Sequence, residues 1–300
     1  MLNSNPIKFN VSTRKRVLLF ICFTLLCYIV ASVVIGLLSM KGEMTPAKIR
    51  ISTIVQDLLV FIIPAMSVAV IITRRPADFL MLRARPSILQ AILAIITVIV
   101  MIPLMNNIIV WNEGLQLPDS MADIQRILEE YEDSATYFTQ MLMGGDSVGS
   151  LVIAILIVGL LTGFSEELYF RGALQRLFST SRVNIHLSIW ATAFIFSAVH
   201  LQIFGFIPRM LLGALFGYMM YWSGSVWMAM IAHVTNNTLV VLVTRYSDDL
   251  PLDFNTLGAG FTAADDWSFW ISILATAGCL TGIYLLGKKN SGNLITPPVD

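Results

Sequence analysis

The sequence has 300 residues, of which 56% are hydrophobic and 13% are charged. This composition excludes an ordinary soluble globular protein, because the apolar residues fall in runs of about twenty, the length that crosses a bilayer. Nineteen basic and nineteen acidic residues cancel to a net charge of zero, so no attraction to nucleic acid is indicated. We therefore predict an all-α, polytopic transmembrane helix bundle of about eight spans, surrounded by the lipid bilayer.

The first 147 residues are predicted to contain three spans, at about residues 17–39, 51–72 and 88–111. A basic cluster before the first span favours a cytoplasmic N-terminus: Lys8, Arg14, Lys15 and Arg16. Three cations in the next loop oppose this orientation: Lys41, Lys48 and Arg50. Asp57 lies within two turns of the predicted start of span two, so we expect its carboxylate near the outer surface.

The segment from 112 to 149 differs from the rest, with eight acidic residues and the single base Arg126. Its apolar residues recur at helical spacing, Ser120 and Asp123 resemble a capping box, and Gly144 with Gly145 supplies a stop. We predict an amphipathic helix on the outward-facing membrane surface, either as a connector or as a lid over the bundle.

Five further spans are predicted, at about residues 148–178, 185–203, 206–222, 225–245 and 267–287. Eight spans place both termini on the cytoplasmic side. We divide the chain into an N-terminal region with three spans and the amphipathic segment (1–147), a core (148–245), and a last region with an outward loop, the final span and a cytoplasmic tail (246–300).

Three charges interrupt the apolar sequence of span four, although charges are costly inside a membrane. Glu167 and Arg171 are four residues apart with Glu on the N-terminal side, the favourable orientation for an ion pair on one helix face. Glu166 points about 100° away around the helix and lacks that partner. We interpret Glu167 and Arg171 as a supporting structural pair, and Glu166 as the residue held for chemistry.

Two of the three histidines lie within predicted spans at a matching depth. His200 lies near the end of span five, and His233 and Asn237 stand one turn apart on span seven. At about 1.5 Å per residue, these side chains and Glu166 fall within one depth band. Two glycine pairs let helices approach closely beside that band: Gly159 with Gly163, and Gly213 with Gly217.

A carboxylate, two imidazoles and an amide in a water-poor cavity suit hydrolysis of a peptide bond. Glu166 would take a proton from water that His200 helps to orient, and His233 with Asn237 would donate hydrogen bonds to the oxyanion. Alternatively, a divalent metal such as zinc would lie between Glu166, His200 and His233. Other protease chemistries fit poorly, because the chain has no His-Glu-x-x-His motif and Ser165 only superficially resembles a serine-hydrolase elbow.

Three motifs in this order resemble the CPBP intramembrane proteases: Glu166-Glu167-x-x-x-Arg171, Phe196-x-x-x-His200 and His233-x-x-x-Asn237. That family includes the type II CAAX prenyl endopeptidases and bacteriocin self-immunity proteins, and the likeness covers about residues 148–245. It implies a helical membrane enzyme in which Glu166 and His200 activate water while His233 and Asn237 stabilise the oxyanion. The metal dependence of the family is disputed, so the resemblance leaves the metal question open.

The resemblance implies a CAAX-protease-like membrane endopeptidase acting on membrane-embedded or membrane-associated peptides or proteins. Short loops and tails resemble the bacterial members, which favours the bacterial inner membrane. Two other functions remain open. One is a non-catalytic membrane immunity or scaffold protein, and the other is a proton-coupled transporter that uses the same buried Glu and His network as a relay.

Overall fold

The computed structural model describes residues 12–40, 42–179, 183–246 and 267–290, and within these ranges the regular structure is helical. The acidic loop expected after span seven and the C-terminal tail lie outside the described residues. In chain order the helices are α1 (Thr13–Ser39), α2 (Pro46–Ile72), α3 (Pro76–Phe79), α4 (Ile88–Val100), α5 (Ile102–Glu113), α6 (Ala122–Met143), α7 (Val148–Phe178), α8 (Ile185–Ala198), α9 (Phe206–Ser223), α10 (Val226–Tyr246) and α11 (Trp267–Asn290).

Five helices are long and apolar enough to cross a membrane: α1, α2, α7, α10 and α11. α4 and α5 add a sixth span when they are counted as one helix bent by 45°. The bend falls at Met101, because Pro103 in the first turn of α5 has no N–H to continue the hydrogen bonding of α4. With the shorter or less apolar α8 and α9, the protein has about eight spans, as predicted, and is an integral multi-pass membrane protein.

α7 is the central helix of the bundle. Its first half packs against α10, and its second half packs against α2, α8, α9 and α10. The helix begins where Ser147 accepts a hydrogen bond from the backbone N–H of Ser150. Two π-helical segments, Ile155–Thr162 and Leu168–Gln175, flank the turn Gly163–Glu167 that carries both glutamates. Such widened turns often occur at functional sites, and the sequence analysis did not foresee them.

Both predicted glycine pairs lie where helices nearly touch. A Cβ atom added to Gly163 would lie 3.0–3.2 Å from atoms of Val234 on α10. One added to Gly213 on α9 would lie 3.1 Å from the Phe196 ring on α8. The absence of side chains therefore brings these backbones together beside the acidic turn of α7. The four glycines at these close approaches are Gly159, Gly163, Gly213 and Gly217.

Asp57 lies inside the bundle, so its expected position near the outer surface is wrong. Its side chain is almost fully buried, with a residue exposure of 1%. α2 begins at Pro46, earlier than the sequence pattern indicated, which carries Asp57 about three turns into the helix. The π-helical segment Asp57–Ile62 starts at this residue, and Thr162 Oγ1 on α7 donates a hydrogen bond to Asp57 Oδ2 at 2.8 Å.

α6 confirms the predicted amphipathic helix, which has no fully buried residue, but its N-terminus differs from the prediction. The helix begins at Ala122 after a single 3₁₀ turn, Asp119–Met121, and no side chain caps it. The capping box of Ser120 and Asp123 is therefore wrong, because the helix starts too late for Ser120 to reach its free N–H groups. The stop at Gly144 is confirmed.

Arg50, one of the three cations that opposed the predicted orientation, has a structural role. It lies on α2, and its guanidinium donates hydrogen bonds to Leu142 O at 3.1 Å and Gly144 O at 2.7 Å. These carbonyls belong to the C-terminal end of α6, where helix carbonyls lack partners within the helix. Arg50 therefore fixes the end of α6 against the bundle.

The close approach at Gly163 predicts that Gly163→Ala destabilises the protein. The added methyl would press on the backbone of Val234, which cannot rotate away, so the free energy of unfolding should fall by about 1–3 kcal/mol. Gly36→Ala on α1 is the matched control, because nothing lies within 4 Å of its added carbon. Reversible unfolding in mixed detergent micelles measures both variants, and equal stability would contradict the close packing of α7 on α10.

Candidate active site

The predicted ion pair between Glu167 and Arg171 is present and fully buried. Arg171 Nη1 donates to Glu167 Oε1 at 2.6 Å, and both side chains are 0% exposed. Arg171 Nη2 donates to the carbonyl of Gly213 on α9 at 2.8 Å. Since an unpaired buried charge is strongly destabilising, these contacts are what allow a guanidinium inside the bundle.

Three aromatic rings surround the guanidinium of Arg171. The distances from its Cζ to the ring centroids are 4.6 Å for Phe196, 5.6 Å for Phe216 and 5.9 Å for Phe170. The rings come from α8, α9 and α7, so three helices contribute a favourable cation–π environment. Their apolar faces also keep water away from the ion pair.

Glu167 also holds His233, so its role extends beyond the ion pair. His233 Nδ1 lies 2.8 Å from Glu167 Oε1, and the imidazole stacks on Phe216 with a centroid distance of 5.1 Å. Because the same oxygen accepts the hydrogen bond from Arg171, it acts as an acceptor here too, and Nδ1 carries the proton of this hydrogen bond. The opposite nitrogen, Nε2, is thereby directed at Glu166, whose Oε2 lies 3.9 Å away.

The two adjacent glutamates have different surroundings, as the sequence analysis expected. Glu167 Oε1 receives hydrogen bonds from both Arg171 and His233. Glu166 is 7% exposed, and among the described residues no side chain hydrogen-bonds to it, since 3.9 Å exceeds a hydrogen-bond length. Glu166 is therefore a buried carboxylate with oxygen lone pairs left for another group.

His200 lies in a loop, because α8 ends at Ala198 and does not continue to 203 as predicted. Its Nδ1 lies 2.7 Å from Phe196 O. A carbonyl can only accept, so Nδ1 carries the proton and Nε2 presents a lone pair. The next residue, Leu201, has a φ of +56°, a left-handed conformation that is uncommon without glycine and turns the chain sharply after His200. No described hydrogen bond joins His200 to Glu166 or His233.

Asn112 fixes the loop after His200, and the sequence analysis missed it. It is 1% exposed, donates to Ile203 O at 2.9 Å and accepts from Ile207 N at 3.0 Å. An asparagine at the end of an apolar segment looks like an interfacial residue in the sequence, so its distant backbone partners carry no local signal.

A second set of contacts ties the same loop to α6. Gln202 donates to Glu132 Oε1 at 2.9 Å and accepts from Arg209 Nη2 at 2.9 Å. Burial raises the pKa of the Glu132 carboxyl, and the charge of Arg209 and the hydrogen bond from Gln202 partly offset that effect. The predicted outward helix is therefore bonded directly to the loop that carries His200.

Asn237 shares a helix face with His233, as predicted, but lies against a different part of α7. Its Nδ2 donates to Val158 O at 3.0 Å, and its Oδ1 accepts a hydrogen bond from Asn236 at 3.3 Å. The structure thus brings Glu166, Glu167, Arg171 and His233 into one contact group. His200 and Asn237 are neighbours of that group and make no described hydrogen bond within it.

Glu166, His200 and His233 are the residues predicted to hold a divalent metal. Their chemistry suits zinc, because each imidazole has an acceptor on Nδ1, which leaves Nε2 for a ligand. Among the described residues, however, no three or more His, Cys, Asp or Glu side chains are grouped closely enough to hold a metal ion. In this arrangement the three residues do not fit a metal site.

Comparison with known proteins identifies a domain around this contact group. Residues 148–239 match a family described as type II CAAX prenyl endopeptidase Rce1-like, which confirms the resemblance noted in the sequence. The Bacillus subtilis (strain 168) protein named "Uncharacterized protein YpbD" is 32% identical over 96 residues, which are 31% of this chain and 46% of that protein. The match therefore spans less than half of that relative. No solved structure matches the chain.

The buried ion pair predicts a large loss of stability for Arg171→Met. The substitution leaves Glu167 in the core without its cation, which should lower the free energy of unfolding by about 3–5 kcal/mol. Arg245→Met is the control, because Arg245 pairs with the exposed Asp146 and its loss should change stability little. Unfolding in detergent micelles measures both. An equal loss of unfolding free energy in the two variants would contradict the claim that the Glu167–Arg171 pair is needed to keep these charges buried.

The two hydrogen bonds of Asn112 predict that Asn112→Ala loosens the loop after His200. Amide hydrogen exchange of residues 199–207 should become roughly tenfold faster or more, because a buried amide and a carbonyl lose their partner. Gln125→Ala, which removes a side-chain amide at the start of α6, should leave exchange in this loop unchanged. Identical protection in wild type and Asn112→Ala would show that the loop is fixed by other contacts.

Proposed function

We propose that the whole chain is an intramembrane endopeptidase. The proposal starts from the match of residues 148–239 to the Rce1-like type II CAAX prenyl endopeptidase family. Its substrates would be membrane-embedded or membrane-associated peptides or proteins. The observation that carries the proposal is the contact series from Arg171 through Glu167 and His233 to Glu166, which fixes one imidazole and leaves one buried carboxylate available.

In the proposed reaction, Glu166 is the general base. It takes a proton from a water molecule whose oxygen attacks the scissile carbonyl carbon, and the carbonyl oxygen becomes the oxyanion. When the tetrahedral intermediate collapses, the C–N bond breaks and Glu166 returns the proton to the leaving amine. The Nε2 lone pair of His200 accepts a hydrogen bond from the attacking water and orients it.

His233 is proposed to stabilise the oxyanion, together with Asn237. Donation from His233 Nε2 requires the imidazolium form, because Nδ1 already donates to Glu167. The Glu167 oxygen at Nδ1 fixes the orientation of the ring, as an acidic partner orients a catalytic histidine in hydrolases. The Asn237 amide has a second N–H beyond the one bonded to Val158 O, and this N–H would donate to the oxyanion.

The surroundings of the site complete the proposal. We infer a bacterial inner-membrane protein with both termini in the cytoplasm, in which 148–245 is the catalytic core. The hydrogen bond from Gln202 to Glu132 supports a role for α6 beside the loop that carries His200.

A proton-coupled transporter is the second candidate, and one observation favours it. Asp57, Glu166 and His233 form a series of interacting titratable side chains inside the bundle, as proton relays require. pH-driven solute flux in sealed vesicles that is lost in Glu166→Gln would favour this candidate. A scaffold or immunity function would instead be supported if Glu166→Gln kept the full cellular phenotype.

The proposal predicts that Glu166→Gln abolishes peptide cleavage while the protein stays folded. Loss of the general base should lower kcat by about 10²–10⁴-fold, because glutamine cannot accept the proton. Purified protein in nanodiscs, a fluorogenic membrane-peptide library, and parallel reactions with a divalent chelator provide the measurement. Glu130→Gln on the exposed face of α6 is the matched control and should cleave normally. Equal cleavage by wild type and Glu166→Gln would refute Glu166 as the base.

A further inference from the structure

Asp57 is a buried carboxylate that the proposed reaction does not use. It lies on α2 at the start of a π-helical segment and is 1% exposed. Thr162 Oγ1 on α7 holds its Oδ2 at 2.8 Å, one helical turn before Glu166. The hydrogen bond therefore links α2 to the turn of α7 that presents Glu166.

The charges around Glu166 come from several helices. Asp57 interacts electrostatically with both Glu166 and His233. The charged or titratable groups that interact with Glu166 are Asp57 on α2, Glu167 and Arg171 on α7, Arg209 on α9, and His233 on α10. Because Arg171 forms an ion pair directly with Glu167, Asp57 is the other carboxylate whose charge acts on Glu166.

A structural role alone does not account for the charge of Asp57. An asparagine would accept the same hydrogen bond from Thr162 and would carry no charge into the bundle. Burying a carboxylate is costly, and two nearby carboxylates in a low-dielectric interior repel each other. The charge therefore lowers stability while its hydrogen bond is replaceable, which is the pattern of a group retained for function.

We propose that Asp57 is a positioning residue for the reaction, whose negative charge, held in place by Thr162, acts on Glu166. This role rests on the proposed function of Glu166 as the general base. An ionised Glu166 is repelled by Asp57. When Glu166 takes a proton from water, the negative charge moves to the oxyanion, where His233 and Asn237 donate hydrogen bonds to it, so the repulsion at Glu166 is relieved. Asp57 thus favours the first chemical step, and no bond to Asp57 itself forms or breaks.

Asp57→Asn tests the charge while keeping the hydrogen bond from Thr162. We expect kcat to fall by roughly tenfold or more, since one favourable charge interaction in the first step is lost. KM should stay within about twofold, because the residue does not touch the substrate. The thermal unfolding midpoint should be equal to that of wild type or higher, because a desolvated charge is gone. Asp57→Glu keeps the negative charge, so its kcat should be higher than that of Asp57→Asn.

Asp146→Asn is the matched control, because this aspartate is exposed and pairs with Arg245 away from the site. It should leave kcat, KM and the unfolding midpoint unchanged. The proposal is overturned if Asp57→Asn cleaves as fast as wild type. It is equally overturned if the variant loses activity with a raised KM and a lowered midpoint or fails to fold, since those results indicate a structural role. Absence of cleavage by wild type would reject the proposed function and this role together, whereas equal cleavage rejects only the role of Asp57.

Discussion

The guanidinium of Arg171 is fully buried among apolar helices, and the contacts that it makes determine the arrangement of the site. Glu167 supplies the opposite charge, the Gly213 carbonyl supplies a second acceptor, and rings from three helices enclose the cation. Gly213 is required for this close approach, because a Cβ atom there would lie 3.2 Å from Arg171 Nη2. The packing of α7 against α8 and α9 is therefore set by where this one charge can be accommodated.

The same ion pair determines what the neighbouring residues can do. Glu167 is held in place by Arg171, so it orients the His233 imidazole with Nε2 towards Glu166. Replacing a buried ion pair by apolar residues is often neutral or stabilising, so stability alone does not explain why this bundle contains one. We consider its orientation of His233 to be the reason. The adjacent glutamates thus divide two tasks, with Glu167 positioning the histidine and Glu166 left available for chemistry.

The sequence predicted the parts of this site that depend on local spacing. The Glu167–Arg171 pair follows from a separation of four residues on one helix, and the shared face of His233 and Asn237 follows from the same period.

The sequence pattern misplaced Asp57, because the start of α2 depends on a cap at Thr45 that hydropathy does not detect. It missed Asn112, whose partners lie 91 and 95 residues away in the chain. It also missed the π-helical segments of α7, for which the sequence pattern gave no signal. Long-range partners leave no periodic pattern, so they could not be predicted.

Nitrogen-15 NMR of the histidine side chains would show directly whether Glu167 orients His233. The chain has three histidines, so selective labelling gives a simple spectrum that His186→Gln and His200→Gln variants would assign. We expect Nδ1 of His233 to be protonated and hydrogen-bonded in the folded protein, and Glu167→Ala to alter its signal. An unprotonated Nδ1 on His233, or a signal unaffected by Glu167→Ala, would contradict the claim that the Arg171–Glu167 pair orients this histidine towards Glu166.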